Sequence, residues 1–331
     1  MLKIGVLGVG HLGKIHLNCL GMLENVYEIT GFFDPDDDQA AEAEEKYGIP
    51  RFSNLDELID AVEVIDIVTP TPTHFDLAKK AVAAGCHLFI EKPVTQTIEQ
   101  ADELLQLSKE KGVKVQVGHV ERFNPALLSL SGMKLQPMFV EAHRLSMFNP
   151  RGTDVSVVLD LMIHDVDILL TLVGSEVTSI SASGVNVLSE TPDICNAHLE
   201  FANGCIANLT ASRISLKQMR KMRFFQKDAY ISLDFLEKQA QVVRMFEEDD
   251  PASPPKDQMM SLPTAKGDRW IHVEMPGIEP VNAIKMELET FAQCIRTDTT
   301  PKVSLEDGYE ALKVAYRIME SIRERSEKYK L

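Results

Sequence analysis

Over the first 120 residues, short apolar runs alternate with longer stretches of helical period. Lys3–Leu7 is a compact β run, Gly8–Gly13 is glycine-rich, and a helical pattern continues to about Leu23. Tyr27–Phe33, Val64–Val68, His87–Ile90 and Lys114–Gly118 are predicted strands. Asp36–Tyr47, Leu55–Ala61, Phe75–Ala84 and Ile98–Lys111 are the helices between them. Strands spaced by helices of this length imply a parallel sheet with crossover helices. The pattern then changes. Phe139–Met147, Val177–Ser183, Ile194–Phe201, Cys205–Ala211, Met222–Gln226 and Ala229–Phe235 read as strands with few helices between them. Ala202-Asn203-Gly204 predicts a type I′ hairpin turn, because Asn-Gly suits its positive-φ positions. Glu247–Lys266 is rich in acid and proline and is expected as a surface excursion. Asn282–Arg296 and Leu305–Lys328 are expected to be closing helices.

The fold class expected is an α/β Rossmann domain with a mostly parallel sheet, followed by an α+β domain with a predominantly antiparallel open sheet. The boundary is placed near residue 120, giving domains 1–120 and 121–331. A chain of 331 residues suits two domains of roughly 100–200 residues each. Hydrophobic residues make up 44%, enough for a large core. No apolar run reaches the roughly 18 residues that a membrane helix needs. The N-terminus starts at once as a strand and does not read as a signal peptide. The net charge of −16 argues against nucleic acid as a partner. Five cysteines without CxxC spacing suggest free thiols in a reducing, cytoplasmic setting and no zinc site.

Gly8-Val9-Gly10-His11-Leu12-Gly13 fits GxGxxG between a strand and a helix. Glycines there permit a tight turn, backbone approach to a pyrophosphate and close helix–strand packing. The anion then meets the helix N-terminus. Asp34 closes the next strand at the spacing expected of the acid that binds the adenosine ribose. A carboxylate there repels a 2′-phosphate, and no Arg or Lys follows before Lys46. NAD is therefore expected in preference to NADP. A plain turn at Asp34-Pro35-Asp36 is the alternative.

Two further patterns carry candidate chemistry. Glu91-Lys92-Pro93 follows a buried-looking strand, so Lys92 is either at the cofactor crevice beyond the sheet's carboxyl edge or a solvated lysine at a turn. Val157–Leu172 is apolar almost all round, with Asp160, His164 and Asp167 at i, i+4 and i+7 and Asp165 pointing elsewhere. Buried charge needs partners. The stripe lines a substrate pocket, shares a metal, or is a structural pair in which Asp160 fixes His164.

Together, the glycine loop, Asp34, Thr69-Pro70-Thr71 with His74, Glu91-Lys92-Pro93, Asp160-x-x-x-His164 and the Val303–Gly308 helix start resemble the Gfo/Idh/MocA oxidoreductases over essentially the whole chain. The resemblance implies Lys92 as a catalytic residue, often followed by a cis-proline, here Pro93. It implies His164 as general acid or base and a homodimer or homotetramer built through the C-terminal sheet. A lysine suits the chemistry, since its ammonium holds a hydroxyl and stabilises developing alkoxide charge.

Arg122 and Asn124, in Gly118–Pro125, are expected at the domain junction, as phosphate clamp and hydroxyl ligand or else as parts of a salt bridge and a turn. Within the family, His119–Ala126 with Arg144 and Asn149–Val155 resembles the UDP-N-acetylglucosamine 3-dehydrogenase subgroup. The reading is thus an NAD-dependent oxidoreductase acting on a sugar alcohol, with C3 of a UDP-linked amino sugar as the site oxidised. A dehydrogenase of free polyols or monosaccharides and a non-catalytic NAD sensor are the alternatives. The expected cofactor residues are Gly8, Gly10, His11, Leu12, Gly13, Asp34, Thr69, Pro70, Thr71, His74, Glu91 and Lys92. The expected substrate residues are Lys92, Glu121, Arg122, Asn124, Arg151, Asp160 and His164, with no metal.

Overall fold

The first unit is built by strands that are buried on both faces, as a central parallel sheet requires. The computed structural model describes residues 1–149, 155–247, 250–265 and 267–329. Its first elements are β1 (Leu2–Leu7), α1 (His11–Gly21), β2 (Tyr27–Phe33), α2 (Asp37–Tyr47), α3 (Leu55–Asp60), β3 (Val64–Ile67), α4 (His74–Ala83), β4 (His87–Glu91), α5 (Ile98–Lys111) and β5 (Val115–Gly118). The strands form one parallel sheet in the order β2-β1-β3-β4-β5. The chain leaves β1 in one direction towards β2 and later returns on its other side with β3. That reversal is the switch point at which doubly wound sheets bind ligands, beyond the carboxyl ends of the strands. Local signals set the helix ends. Thr97 and Gln100 form a reciprocal capping box on α5, and Gly112 ends it in the left-handed conformation.

Next come α6 (Pro125–Leu128), β6 (Phe139–Leu145), α7 (Ile163–Val173), β7 (Val177–Val185), β8 (Ile194–Phe201), β9 (Ile206–Ser212), β10 (Met219–Phe225), β11 (Ala229–Asp234), β12 (Gln239–Phe246), β13 (Met260–Leu262) and β14 (Arg269–Glu274). The described strands form a nine-stranded sheet, β13-β14-β12-β11-β10-β6-β9-β8-β7. It is antiparallel except where β6 runs beside β9. The helices α8 (Ala283–Thr297) and α9 (Leu305–Tyr329) close the chain.

Compactness follows three dimensions rather than chain order. Residues 1–123 and 282–313 form one unit, and residues 124–281 and 314–331 the other. Where the sequence reading cut the chain once near residue 120, α8 returns to the first unit. Leu288, Phe291 and Ala292 enter its core, the Tyr27 hydroxyl donates to the Leu288 carbonyl at 2.8 Å, and Arg296 donates to the Val26 carbonyl at 2.8 Å. Just before α9, the Val303 carbonyl accepts from the Val117 N–H at 3.0 Å.

Three expectations need correction. The span Glu247–Lys266 is not all excursion, because Met260–Leu262 pairs with Arg269–Glu274 as β13 and β14, and Gln239–Phe246 before it is also a strand. All three residues of β13 are exposed, so an edge strand there shows little of the alternation that marks burial. Of Ala202-Asn203-Gly204, only Gly204 has positive φ, at 85°, and its N–H bonds to the Phe201 carbonyl at 2.9 Å. That geometry fits a three-residue loop with a glycine bulge, not type I′. Lastly, Val158–Met162 is a π-helical turn leading into α7, so Val157–Leu172 is not one uniform α-helix. Among the described residues, no helix is long and apolar enough to cross a membrane.

Asp165, read as pointing away from the stripe, is the buried anchor of α7. Its carboxylate accepts two bonds from Arg144 on β6, at 2.9 and 3.0 Å, and both side chains are at most 4% exposed. Removing one member of such a pair leaves the other charge buried. Asp165→Asn should therefore lower unfolding free energy by about 3–5 kcal/mol. Urea unfolding followed by circular dichroism measures this, and a loss below about 1 kcal/mol would show that the pair adds little.

Candidate active site

The glycine loop is shaped by what a side chain would strike. Gly8 has φ of +91°, and a Cβ there would come within 3.0–3.1 Å of Thr69 and the Val68 carbonyl. A Cβ on Gly13 would lie 2.0 Å from the Gly8 carbonyl oxygen, which forces α1 and the loop into backbone contact. Above Gly10 the only close atom is Gln39 Oε1, at 3.1 Å. Among the described residues, no side chain caps α1 at Gly10. Gly8, Gly10, His11, Leu12, Asp34, Thr69 and Pro70 line a cavity of about 580 Å³, together with Asp36, Gln39, Thr73 and four apolar or proline side chains from Phe33, Pro35, Val68 and Leu77. Gly13 lies behind it. A cavity at a helix N-terminus, with a carboxylate at the next strand's end, fits a dinucleotide.

Asp34 is not a free carboxylate. Its Oδ2 accepts from the Val9 N–H at 2.8 Å and its Oδ1 from the Asp36 N–H at 2.9 Å, so it also braces the glycine loop. A carboxylate has about four lone-pair positions, so acceptor capacity is left for hydroxyls. Arg51 lies beyond Lys46 in the sequence, yet the fold brings it back to Asp34. It donates to the Asp34 carbonyl at 2.9 Å and pairs with Asp37 at 2.8 Å. Lys46 instead lies over the Tyr47 ring.

The Lys92 corner is tied to the same loop region. The Lys92–Pro93 peptide is cis, as the resemblance implied. His74 is 1% exposed, with Nε2 at 2.8 Å from the Thr69 carbonyl and Nδ1 at 3.0 Å from that of Pro93. It therefore clamps backbone and does not line the cavity. Thr71 begins the short turn Thr71–Thr73 and also lies off the cavity wall. Lys92 is half-buried. Glu91 is buried, its Oε2 accepting from the Lys92 N–H at 3.2 Å and its Oε1 standing 3.2 Å from His16 Nε2. His16 Nδ1 meets Asp66 Oδ2 at 2.9 Å. Neither His16 nor Asp66 was singled out from sequence. The signal available was a polar residue on the buried face of α1 and another inside the apolar strand VIDI.

The remaining candidates divide. Arg122 is buried, 3.4 Å from Asp307 and from the Lys302 carbonyl, so part of its guanidinium is engaged within the first unit. Glu121 is buried beside it in chain order. In the second unit, Asn124 caps α6 through the Ala126 N–H at 3.0 Å and donates to the Phe235 carbonyl at 3.0 Å. Asp160 lies in the π-turn and His164 in α7, both half-buried, while Asp167 is 1% exposed. Arg151 lies outside the described residues. Among the described residues, no three His, Cys, Asp or Glu side chains gather as metal ligands.

Two family profiles cover this architecture. "Oxidoreductase family, NAD-binding Rossmann fold" matches residues 2–119, and "Oxidoreductase family, C-terminal alpha/beta domain" matches residues 149–331. The chain belongs to the Gfo/Idh/MocA oxidoreductase family. A UDP-N-acetylglucosamine 3-dehydrogenase of Acidithiobacillus ferrooxidans is 39% identical over 236 residues, 71% of this chain and 74% of that one. A solved structure of UDP-N-acetylglucosamine 3-dehydrogenase from that organism matches with a TM-score of 0.85 at 32% identity, covering 97% of both chains. The scyllo-inositol 2-dehydrogenase (NAD(+)) of Bacillus subtilis is 26% identical over 97% of this chain and 94% of that one. As a member of the Gfo/Idh/MocA family, the chain is an NAD-binding oxidoreductase.

The clamp at His74 has a pH signature. Burial holds its imidazole below the ordinary value, although the Thr69 and Pro93 carbonyls act the other way. A histidine with a depressed folded pKa contributes stability above its unfolded pKa, about 6.5. That stability is lost as pH falls through the folded value. Melting temperatures taken from about pH 8 to about pH 5 should therefore fall more steeply in wild type than in His74→Gln. Parallel curves would remove His74 from the balance.

Proposed function

We propose that this chain is an NAD-dependent dehydrogenase that moves a hydride between nicotinamide and the C3 hydroxyl of a UDP-linked N-acetylamino sugar. The observation that carries the reading is the 39% identity to a UDP-N-acetylglucosamine 3-dehydrogenase, which extends over 71% of this chain. Bound NAD supplies the hydride acceptor. Asp34 takes the adenosine ribose hydroxyls, and the first N–H groups of α1 face the pyrophosphate. Lys92 holds the reacting hydroxyl and stabilises negative charge on its oxygen. His164 takes or returns the hydroxyl proton, and Asp160 orients the imidazole or a sugar hydroxyl. The similarity to an inositol dehydrogenase at full length supports a second reading, a free polyol as substrate.

Turnover followed at 340 nm with NAD separates the two. UDP-N-acetylglucosamine should be oxidised, and scyllo- and myo-inositol should not. Lys92→Ala and His164→Ala should each lose about 100- to 10,000-fold in turnover, as removal of an acid–base or charge-stabilising group does. Equal or faster turnover of an inositol would favour the polyol reading. Near-normal turnover in His164→Ala, with a lowered melting temperature, would make that histidine structural.

The preference for NAD over NADP is tested at Asp34. Its charge-assisted bonds are worth about 1.5–3 kcal/mol each. Asp34→Ala should therefore weaken NADH binding and narrow the gap between NADH and NADPH in fluorescence titrations. A wild type that binds NADPH more tightly would refute this assignment of the ribose site.

A further inference from the structure

We propose that His16 is a positioning residue for Lys92, bridging Asp66 on β3 and Glu91 on β4 so that the Glu91 carboxylate is held against the Lys92 backbone. The proposal rests on the reading of Lys92 given above. His16 projects from the buried face of α1, which also carries Gly13, Leu17 and Leu20. Its ring is fully enclosed, 2.9 Å from Asp66 Oδ2 and 3.2 Å from Glu91 Oε1. The edge-to-face Phe89 ring, 5.5 Å away, packs against it. The other Glu91 oxygen accepts from the Lys92 N–H at 3.2 Å. Opposite Glu91 on β5 stands Gly118, where a Cβ would come within 2.6–2.9 Å of the carboxylate. The space for this side chain thus exists because the facing residue has none.

Nδ1 is hydrogen-bonded to Asp66, and Nε2 stands at ion-pair distance from Glu91 without hydrogen-bond alignment, so both carboxylates are served only when each nitrogen carries a proton. Burial alone would depress the imidazole, but the Asp66 charge, the bond that Nδ1 donates to Asp66 and the nearby Glu91 carboxylate hold it well above its ordinary value. The groups that face it are Asp66 from β3, Glu91 from β4 and the Cys19 thiol from its own helix. Without the ring, Glu91 would be a buried carboxylate with the Lys92 N–H as its remaining donor from this set. It would turn towards solvent, and the turn that carries Lys92 would lose its brace. A simple buried ion pair would lower stability without altering turnover per folded molecule.

Asparagine and glutamine separate these roles, because an Asn amide nitrogen falls near Nδ1 and a Gln amide nitrogen near Nε2. His16→Gln keeps a donor for Glu91, and His16→Asn keeps one only for Asp66. We expect His16→Asn to lose roughly 10- to 100-fold in kcat, the scale of a small misplacement of a reacting group. Its KM for NAD should change little, and His16→Gln should retain most of the turnover. The assay uses NAD with whichever of UDP-N-acetylglucosamine and the inositols wild type oxidises. Equal kcat per folded molecule in all three proteins would overturn the proposal. If Lys92→Ala keeps turnover, the underlying reading fails first and this one falls with it. If both His16 variants fail to fold, nitrogen-15 NMR of the wild-type imidazole decides. Two protonated nitrogens at neutral pH support the bridge, and one overturns it.

Discussion

The contact on which the first unit depends is the approach of α1 to the end of β1. A side chain on Gly13 would overlap the Gly8 carbonyl at 2.0 Å, so the helix lies against the loop with backbone touching backbone. Three consequences follow from that one distance. The start of α1 opens onto the cavity beyond the sheet's carboxyl edge. Val9 presents its N–H to Asp34, which joins the glycine loop and the end of β2 into one unit. One turn further along, His16 reaches over β3 and β4 to Asp66 and Glu91. The third glycine of this motif permits close packing of helix on strand. Here the third glycine also sets the depth at which a buried histidine meets two acids.

Sequence periodicity was enough for the parallel sheet because its strands are apolar, short and separated by helices. The span of β2 was read to the residue, as was that of α5, whose Thr97 and Gly112 are unambiguous stops. The glycine loop and Asp34 were legible because their residue types and spacing form a linear motif. What stayed hidden depends on partners far away. Asp165 looked like the member of its group that faced away from the site, and only the position of Arg144 on another strand makes it an anchor. Arg122 reads from sequence as a phosphate clamp or a salt-bridge partner, and Asp307, from the start of the last helix, stands 3.4 Å from it. Arg51 lies 17 residues beyond Asp34 in the chain, yet the Phe32–Arg51 bridge folds it back on Asp34. A linear motif identifies residue types, whereas burial decides which of them are already occupied.

The second unit shows how charge is carried in an apolar helix. Asp165 and Asp167 are both buried in α7, and burying a lone carboxylate is costly. The bidentate bonds from Arg144 meet that cost for Asp165 and fix the helix on β6. Just before α7, the π-turn at Val158–Met162 changes the angular step between residues. Asp160 and His164 are therefore not related as i and i+4 of a regular α-helix, and a stripe drawn at 3.6 residues per turn misplaces the first of them. Both remain half-buried, unlike Asp165 and Asp167. That difference in exposure sorts the four polar residues better than their spacing did. Asp165, paired with Arg144, is a structural anchor. Asp160 and His164 are the two of the four that solvent still reaches.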